Sequence, residues 1–230
     1  MENPRIVIVT GAKGGLGSCV TEAFLAAGNT VIGSSKSIEE RDFADARFVA
    51  VPADLTDDAA ARSLADCTVQ RFQRIDALVH VMGGYSGGRP IPETDDAIWD
   101  RMMNMNLRAA FNIFRAVIPR MRAAGSGRIV AIASRAALEP AANNAAYSAS
   151  KAALLSLART AALENKDLGI TVNSILPGTM STEANRKADP HADHSRWVPP
   201  EDVARLAVFL VSDAAAQITG AAIPVYGREA

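Results

Sequence analysis

A tyrosine and a lysine four residues apart, Tyr147 and Lys151, are the pair in this chain best suited to acid–base chemistry. Side chains at positions i and i+4 of a helix project from the same face, one turn apart. An ammonium at that distance favours the phenolate, so we expect the pKa of the tyrosine to fall from its ordinary value of ~10 toward working pH. A phenol tuned in this way can donate or accept a proton at the oxygen of a carbonyl or an alcohol.

Ser134 lies thirteen residues before the tyrosine and closes a strand-like apolar run over 128–133. Open α/β sheets bind their ligands at the carboxyl ends of their strands. Tyrosine and lysine meet at the i, i+4 spacing by chance in many helices, so the pair alone is weak evidence. With a hydroxyl at a strand end just upstream, the three residues form a candidate catalytic site.

A glycine-rich loop follows the first predicted strand, 5–10, and precedes a predicted helix over about 18–27. The loop reads Gly11-Ala12-Lys13-Gly14-Gly15-Leu16-Gly17. Strand, glycine loop and helix in this order predict a dinucleotide site. The glycines let a pyrophosphate approach the backbone, and the helix N-terminus offers free N–H groups and the positive end of its dipole. A plain strand-to-helix turn is the alternative.

The second predicted strand, 29–34, is followed by a hydroxyl and a cation, Ser35 and Lys36, and by no acid. An acidic residue at this strand end accepts the ribose hydroxyls of NAD, whereas a basic residue accommodates the 2′-phosphate of NADP. The sequence therefore favours NADP(H) over NAD(H), with a solvated Lys36 as the alternative. Asp54 could accept a hydrogen bond from the adenine amino group, or cap the helix that starts near Asp57.

Strands and helices alternate along the rest of the chain. We predict further strands over 47–51, from 75 into the glycines at 83–84, and over 128–133, 169–176 and 221–226. Further helices are predicted from about 57, over 94–121, through the Tyr147–Lys151 pair to about 166, and over 199–211. This alternation predicts a single α/β domain over residues 1–230, with a doubly wound parallel sheet of about seven strands and helices on both faces.

Three polar or irregular features interrupt this pattern. Asn104 and Asn106 fall inside a predicted helix, where asparagine is disfavoured because its side chain competes for backbone groups, so a role is indicated. Pro119 is expected to kink or shorten the end of the same helix. The segment 179–198 is polar and without clear periodicity, and we interpret it as a mobile loop or a lid.

Composition bounds the function classes. The 230 residues carry 24 Lys plus Arg against 25 Asp plus Glu, so no basic surface for nucleic acid is predicted. Cys19 and Cys67 form no CxxC pair and suit a reducing compartment. The first strand starts at Arg5, too early for a signal peptide, and no run approaches the ~20 apolar residues that span a bilayer. We expect a cytoplasmic protein without nucleic-acid or membrane partners.

The segment 179–198 also holds the residues closest to a metal-ligand pattern, His191 and His194 with Asp189 and Asp193. No further His or Cys lies nearby, so we predict solvated loop residues and no metal. Trp197 is predicted to pack rather than to stack on a substrate, although its place in the lid keeps the second role open.

Together these motifs resemble the short-chain dehydrogenase/reductase family, in order and over nearly the whole chain. The residues that carry the resemblance are Thr10-Gly11-x-x-x-Gly15-x-Gly17, Asn106, Ser134, Tyr147-x-x-x-Lys151 and Pro177-Gly178. The resemblance implies a Rossmann fold and an NAD(P)-dependent oxidoreductase acting on CH–OH or C=O groups.

The resemblance also implies residue roles. Tyr147 would be the general acid/base, and Lys151 would bind the nicotinamide ribose and lower the pKa of the tyrosine. Ser134 would hold the substrate oxygen, Asn106 would support a water chain leading to Lys151, and Thr182 would contact the nicotinamide carboxamide. The full set of expected cofactor contacts is Gly11, Lys13, Gly14, Gly15, Leu16, Gly17, Ser35, Lys36, Asp54, Leu55, Gly83, Tyr147, Lys151, Pro177, Gly178 and Thr182.

The chain departs from the family pattern at two places. The family's Asn-Asn-Ala-Gly after the fourth strand is replaced by the run His80-Val81-Met82-Gly83, which alters side-chain support around the adenine ribose and Asn106. Many NADP-using members carry a basic residue where this chain has Gly14, and here the cation, Lys13, lies one place earlier.

These observations predict an NADP(H)-dependent ketoreductase, similar to 3-oxoacyl-thioester reductases, with a small carbonyl or alcohol as substrate. The first alternative is reduction of a quinonoid pterin, because 185–197 resembles dihydropteridine reductases, although those enzymes lack the serine that Ser134 supplies. A silent NADP-binding sensor would have no use for the catalytic set. A sugar-nucleotide epimerase would need a larger substrate domain than the roughly thirty residues after Val198.

The helix that carries the catalytic pair also predicts assembly. Between Ala152 and Leu163 it has one charged residue, Arg159, among mostly alanine and leucine. A helix apolar on nearly all sides is buried on more than its sheet-facing side. We therefore expect a homo-oligomer, and the family resemblance implies a tetramer.

Overall fold

The computed structural model describes residues 4–228, so the predicted domain over 1–230 extends past the described residues at both ends. Its strands are β1 Ile6–Thr10, β2 Thr30–Ser34, β3 Phe48–Ala50, β4 Ala77–His80, β5 Gly127–Ile132, β6 Ile170–Pro177 and β7 Ala222–Val225. Its α-helices are α1 Gly15–Ala26, α2 Asp58–Phe72, α3 Asp96–Met103, α4 Ala109–Ala124, α5 Ala145–Asn165, α6 Glu183–Ala188 and α7 Pro200–Val211. Among the described helices, none has the length and apolar character needed to cross a membrane.

All seven strands form one parallel sheet in the order β3-β2-β1-β4-β5-β6-β7. This is the doubly wound Rossmann arrangement, and it confirms the predicted fold. The order reverses between β1 and β4, where Thr10 pairs with His80. Ligands of such sheets bind in the crevice outside the carboxyl ends of the strands at this reversal. The topology therefore places the candidate site next to Thr10 and His80.

The strands are continuous apolar runs because the sheet is covered on both faces. On one face, Ile8 and Ile129 pack in a fully buried cluster with residues of α2, α4 and α5. On the other face, Val7 and Val9 pack with residues of α1 and α7. Alternate side chains of a strand point to opposite faces, so β1 contributes to both clusters. Burial on both faces fixes the strand register and with it the positions of the strand ends.

The helix predicted over 94–121 is three elements. After α3, residues Asn104–Arg108 form a π-helical turn, and α4 then runs to Ala124. The expectation that Pro119 shortens the helix is wrong. Proline removes one backbone donor, but Val117 and Met121 on either side of it are fully buried, and their packing holds α4 together across that position.

The segment 179–198 is more regular than its composition predicts. It contains α6 and a short 3₁₀ turn at His194–Arg196, and a backbone bridge joins Met180 to Val198. Helix α6 has only six residues, too few to show helical periodicity in sequence. Trp197 is 7% exposed and packs, so the packing interpretation of this residue is the correct one.

Candidate active site

The structure brings the three residues of the candidate catalytic site together. Tyr147 lies in the first turn of α5 and Lys151 in the next, with the Lys151 Nζ 6.0 Å from the centroid of the tyrosine ring. Ser134 follows β5 in extended conformation and hydrogen-bonds the side chain of Tyr147. The same strand end presents the carbonyl of Ile132, which accepts a hydrogen bond of 3.0 Å from the Lys151 ammonium.

The pKa of Tyr147 is raised, so the predicted lowering by Lys151 is wrong. Burial of the phenol is the largest cause, and it outweighs the hydrogen bond from Ser134, which lowers the pKa. Lys151 is buried as well, and burial lowers its pKa to about 8. Its ammonium is directed to the Ile132 carbonyl rather than to the phenol oxygen. The low-dielectric surroundings thus favour the neutral form of both groups.

Asn106 is completely buried in the π-helical turn, and its side chain links two parts of the site. Its amide Oδ1 accepts from the Gly84 N–H at 2.8 Å, and Nδ2 donates to the Gly84 carbonyl at 3.0 Å. Nδ2 also donates to Ser150 Oγ at 2.9 Å, and Ser150 in turn donates to the Tyr147 carbonyl at 2.7 Å. The asparagine predicted to have a role therefore joins the loop after β4 to the first turns of α5. Asn104, by contrast, is exposed.

Gly83 permits the close approach of this loop to the catalytic residues. A Cβ at this position would lie 2.7 Å from Asn106 Oδ1 and 3.1 Å from Lys151 Nζ. Any side chain here would push the asparagine or the lysine out of place.

The glycine loop depends on close backbone approaches that leave no room for side chains. Gly11 adopts a φ of +69°, and a Cβ there would meet Met82 N at 2.8 Å, while a Cβ on Gly17 would lie 1.9 Å from the Gly11 carbonyl oxygen. Helix α1 starts inside the loop, at Gly15, earlier than predicted. Within residues 4–228 no side chain caps this helix start, and its first turn holds no acid. Its N–H groups fit a pyrophosphate, as the motif predicts.

The carboxyl end of β6 closes the other side of the crevice. Pro177 is the last residue of that strand, and a Cβ on Gly178 would lie 2.9 Å from the Tyr226 carbonyl oxygen. Thr182 caps α6 by accepting from the Asn185 N–H at 3.3 Å. Its side chain also contacts the glycine loop, since a Cβ on Gly15 would be 3.2 Å from Thr182 Cβ. The residues expected at the nicotinamide end therefore lie beside the loop expected at the pyrophosphate.

At the predicted adenosine end, Lys36 forms an ion pair of 2.7 Å with Asp54. Lys36 is the largest cause that lowers the pKa of Asp54, and the hydrogen bond from Thr56 is the second. The capping interpretation of Asp54 is wrong, because Asp57 caps α2 by accepting from the Ala59 N–H. The neighbouring Leu55 is 1% exposed and packs in the core.

His80 occupies the position of the first family asparagine and ties β1 to β4. Its Nδ1 lies 2.9 Å from Thr10 Oγ1, which also accepts from the Met82 N–H at 3.3 Å. Burial, and secondarily the charge of Lys151, lowers the pKa of His80 to about 3, so the ring is neutral. His80 thus provides a side-chain link at the sheet's reversal point.

Two residues of the site, Ser150 and Tyr85, were not predicted from the sequence. Ser150 is the hydroxyl between Asn106 and Tyr147 described above. The ring of Tyr85 stands edge-on to the Tyr147 ring, with centroids 5.1 Å apart, and its hydroxyl donates to Asn144 Oδ1 at 2.9 Å. An aromatic residue in a glycine-rich loop after a central strand was the available signal for Tyr85.

His194 of the segment 179–198 serves local packing, whereas His191 is exposed. His194 Nε2 hydrogen-bonds the Asp189 carbonyl at 2.7 Å, and its ring stacks on Trp197 with centroids 4.4 Å apart. In the described part of the chain, no group of three or more His, Cys, Asp or Glu side chains is placed to hold a metal ion.

Comparison with known proteins gives consistent results. Residues 5–193 match the family model for short chain dehydrogenases. A short chain dehydrogenase from Penicillium rubens, adrF, is 31% identical, with 96% of this chain and 94% of the relative covered. The D-threitol dehydrogenase of Mycolicibacterium smegmatis is 32% identical, with 97% and 92% covered. A short-chain type dehydrogenase/reductase structure from Mycobacterium ulcerans superposes with a TM-score of 0.91 at 28% identity, covering 97% of this chain and 89% of that one.

Proposed function

The chain belongs to the short-chain dehydrogenase family and is an NAD(P)-dependent oxidoreductase, and from this we propose that it reduces ketones or aldehydes with NADPH, or oxidises the corresponding alcohols. The observation that carries the proposal is the convergence of Ser134, Tyr147 and Lys151 at the carboxyl end of a central strand. The bound nicotinamide would supply or accept the hydride, and the protein would manage the proton.

The proton chemistry follows from the two hydroxyls. Because its pKa is raised, Tyr147 keeps its proton at neutral pH and can donate it to an oxygen that gains negative charge. Ser134 already hydrogen-bonds Tyr147, so an oxygen placed between the two would have a second donor. The Lys151 Nζ lies 6.0 Å from the centroid of the Tyr147 ring, where it would hold a ribose hydroxyl of the cofactor. The links from Asn106 to Ser150 and on to the Tyr147 carbonyl keep the start of α5 in position.

A relative supports an alcohol or ketone as the substrate class. The D-threitol dehydrogenase, 32% identical over nearly its full length, oxidises an alcohol according to its name. We propose for this chain a small carbonyl or alcohol substrate, with a β-ketoacyl thioester among the candidates.

A screen of NADPH oxidation tests the proposal. It would compare simple ketones, aldehydes, ketoses, a β-ketoacyl thioester and a quinonoid dihydropterin, with the Tyr147→Phe protein as the matched control for background oxidation. We expect at least one carbonyl class to be reduced by the unmodified enzyme only. Equal rates for the two proteins on every carbonyl would refute the proposal.

We expect the unmodified protein to bind NADPH more tightly than NADH. Ser35 Oγ is buried without a hydrogen-bond partner in the described structure, next to Lys36, and both suit a 2′-phosphate. Ser35→Asp should lower the NADPH:NADH affinity ratio by about tenfold or more, because the new carboxylate repels the phosphate.

Fluorescence titration with both cofactors gives the two dissociation constants. Ser35→Asn is the control, since it has the size of aspartate without the charge. Tighter binding of NADH by the unmodified protein would contradict the assignment.

We propose that the enzyme is a homo-oligomer, with a tetramer as the expected state. Helix α5 exposes Leu163 to 71%. A groove of about 270 Å³ is lined by Leu157 of the same helix and by Met103, Asn104, Leu107, Arg108 and Phe111. Light scattering should give a mass several times 24.2 kDa at micromolar concentration. Phe111→Glu should lower that mass, because it places a charge on this surface. A monomeric wild-type protein would overturn the proposal.

A further inference from the structure

Both lysines at the predicted adenosine end are paired with carboxylates. Lys36 pairs with Asp54 at 2.7 Å, and Lys13, from the glycine loop, pairs with Asp42 at 2.9 Å. The two cations and two anions sum to no net charge. A 2′-phosphate arriving here must therefore compete with an internal anion for each lysine.

The two pairs are not equivalent. The side chains of Lys36 and Asp54 are 68% and 40% exposed, and pairs of this kind contribute little to stability, so a phosphate can readily replace the carboxylate. Asp42 is only 18% exposed, and the Lys13 ammonium also donates to the Ser37 carbonyl at 3.1 Å. Lys13 is thus held by two acceptors on the loop that follows β2.

Asp42 is itself fixed in place. Its Oδ2 accepts from the Glu39 N–H at 2.9 Å, and its own N–H donates to the Glu39 carbonyl at 3.0 Å, so two hydrogen bonds join Asp42 to the residue before the 3₁₀ turn Glu40–Asp42. The Lys13 ammonium is the largest cause that lowers the pKa of Asp42, so the carboxylate stays charged at neutral pH. A fixed anion at this place both retains Lys13 and repels a phosphate.

We propose that Asp42 controls the strength of 2′-phosphate binding by competing for the Lys13 ammonium. The inference rests on the proposed NADP(H) function and adds to it a residue that works against the phosphate. In this arrangement Lys36 is the available cation and Lys13 the restrained one. The affinity for NADPH then exceeds the affinity for NADH by a smaller factor than two unpaired lysines would produce.

The test measures binding of two adenosine probes, 2′,5′-ADP and 5′-AMP, by calorimetry. Asp42→Asn keeps an oxygen that can accept from the Glu39 N–H but removes the charge. We expect it to tighten 2′,5′-ADP binding about tenfold, as one charge-assisted contact becomes available, and to change 5′-AMP binding less than about twofold. Adding Lys13→Met to the Asp42→Asn protein should abolish the gain.

Glu40→Gln is the matched control, because Glu40 lies in the same turn but bonds the Ala50 N–H and not a lysine. An equal gain in 2′,5′-ADP affinity in Glu40→Gln would overturn the inference, and so would a gain that survives Lys13→Met. Either result would mean that removal of any nearby negative charge strengthens binding, without competition for Lys13. No gain in Asp42→Asn would overturn it as well. If neither probe binds the unmodified protein, the proposed NADP(H) site itself is wrong. If both probes bind and Asp42→Asn gives no gain, only the role of Asp42 is wrong.

Discussion

Replacing Tyr147 by phenylalanine should lower kcat by ~10²–10⁴-fold, the usual contribution of general acid–base catalysis. The substitution removes the one hydroxyl that is hydrogen-bonded to Ser134 and close to Lys151, and it leaves the ring and its edge-on contact with Tyr85 in place. Steady-state rates with any substrate found in the carbonyl screen provide the measurement. Because the pKa of Tyr147 is raised, the wild-type reduction rate should decline only as pH rises above that value.

Measuring NADPH binding distinguishes a loss of catalysis from a loss of structure. The Tyr147→Phe protein should bind NADPH with nearly unchanged affinity, since the glycine loop is untouched. Tyr85→Phe is the matched control: it also deletes a tyrosine hydroxyl in this site, but one bonded to Asn144. A Tyr147→Phe enzyme that turns over at the wild-type rate would rule out the acid–base assignment.

Ser134→Ala should lower the rate of ketone reduction by ~10²-fold or more, the effect of losing one donor to an oxygen that gains negative charge. The hydroxyl also accepts from the Ala136 N–H at 3.2 Å, so alanine removes a local cap in addition. Thermal unfolding of the variant shows whether that loss matters to the fold. Ser134→Thr, which restores a hydroxyl, should recover part of the activity.

The same variant decides between carbonyl and pterin reduction. Hydride transfer to an electrophilic quinonoid ring has less need of a donor at an oxygen, so pterin turnover should be insensitive to Ser134. The resemblance of 185–197 to dihydropteridine reductases, which is an expectation from the sequence, favours the pterin, whereas the contact of Ser134 with Tyr147 favours a carbonyl. Rapid pterin turnover, equal in wild type and Ser134→Ala and without ketone reduction, would establish the pterin alternative instead.

Much of the architecture could be predicted because its signals are local. Apolar runs of strand length, separated by helices, predict a sheet covered on both faces, and the ends of its central strands are where Ser134 and Gly83 were expected and found. Three features could not be predicted. Helix α6 is shorter than the window that reveals periodicity, and the pairing of Lys13 with Asp42 joins residues far apart in sequence. The pKa of Tyr147 depends on burial, which spacing along a helix does not report.

The buried Lys151 and the glycines of the loop give different kinds of evidence about function. Gly11 and Gly17 are required by the fold itself, because their missing side chains let the loop close on Met82 and on the Gly11 carbonyl. A protein that had lost its chemistry would still need them. Lys151 is the opposite case: its surroundings disfavour its charge, and an apolar side chain of similar length would suit that interior better. The fold gains nothing from this charge, so the lysine argues against a silent binding protein more strongly than the glycine motif does.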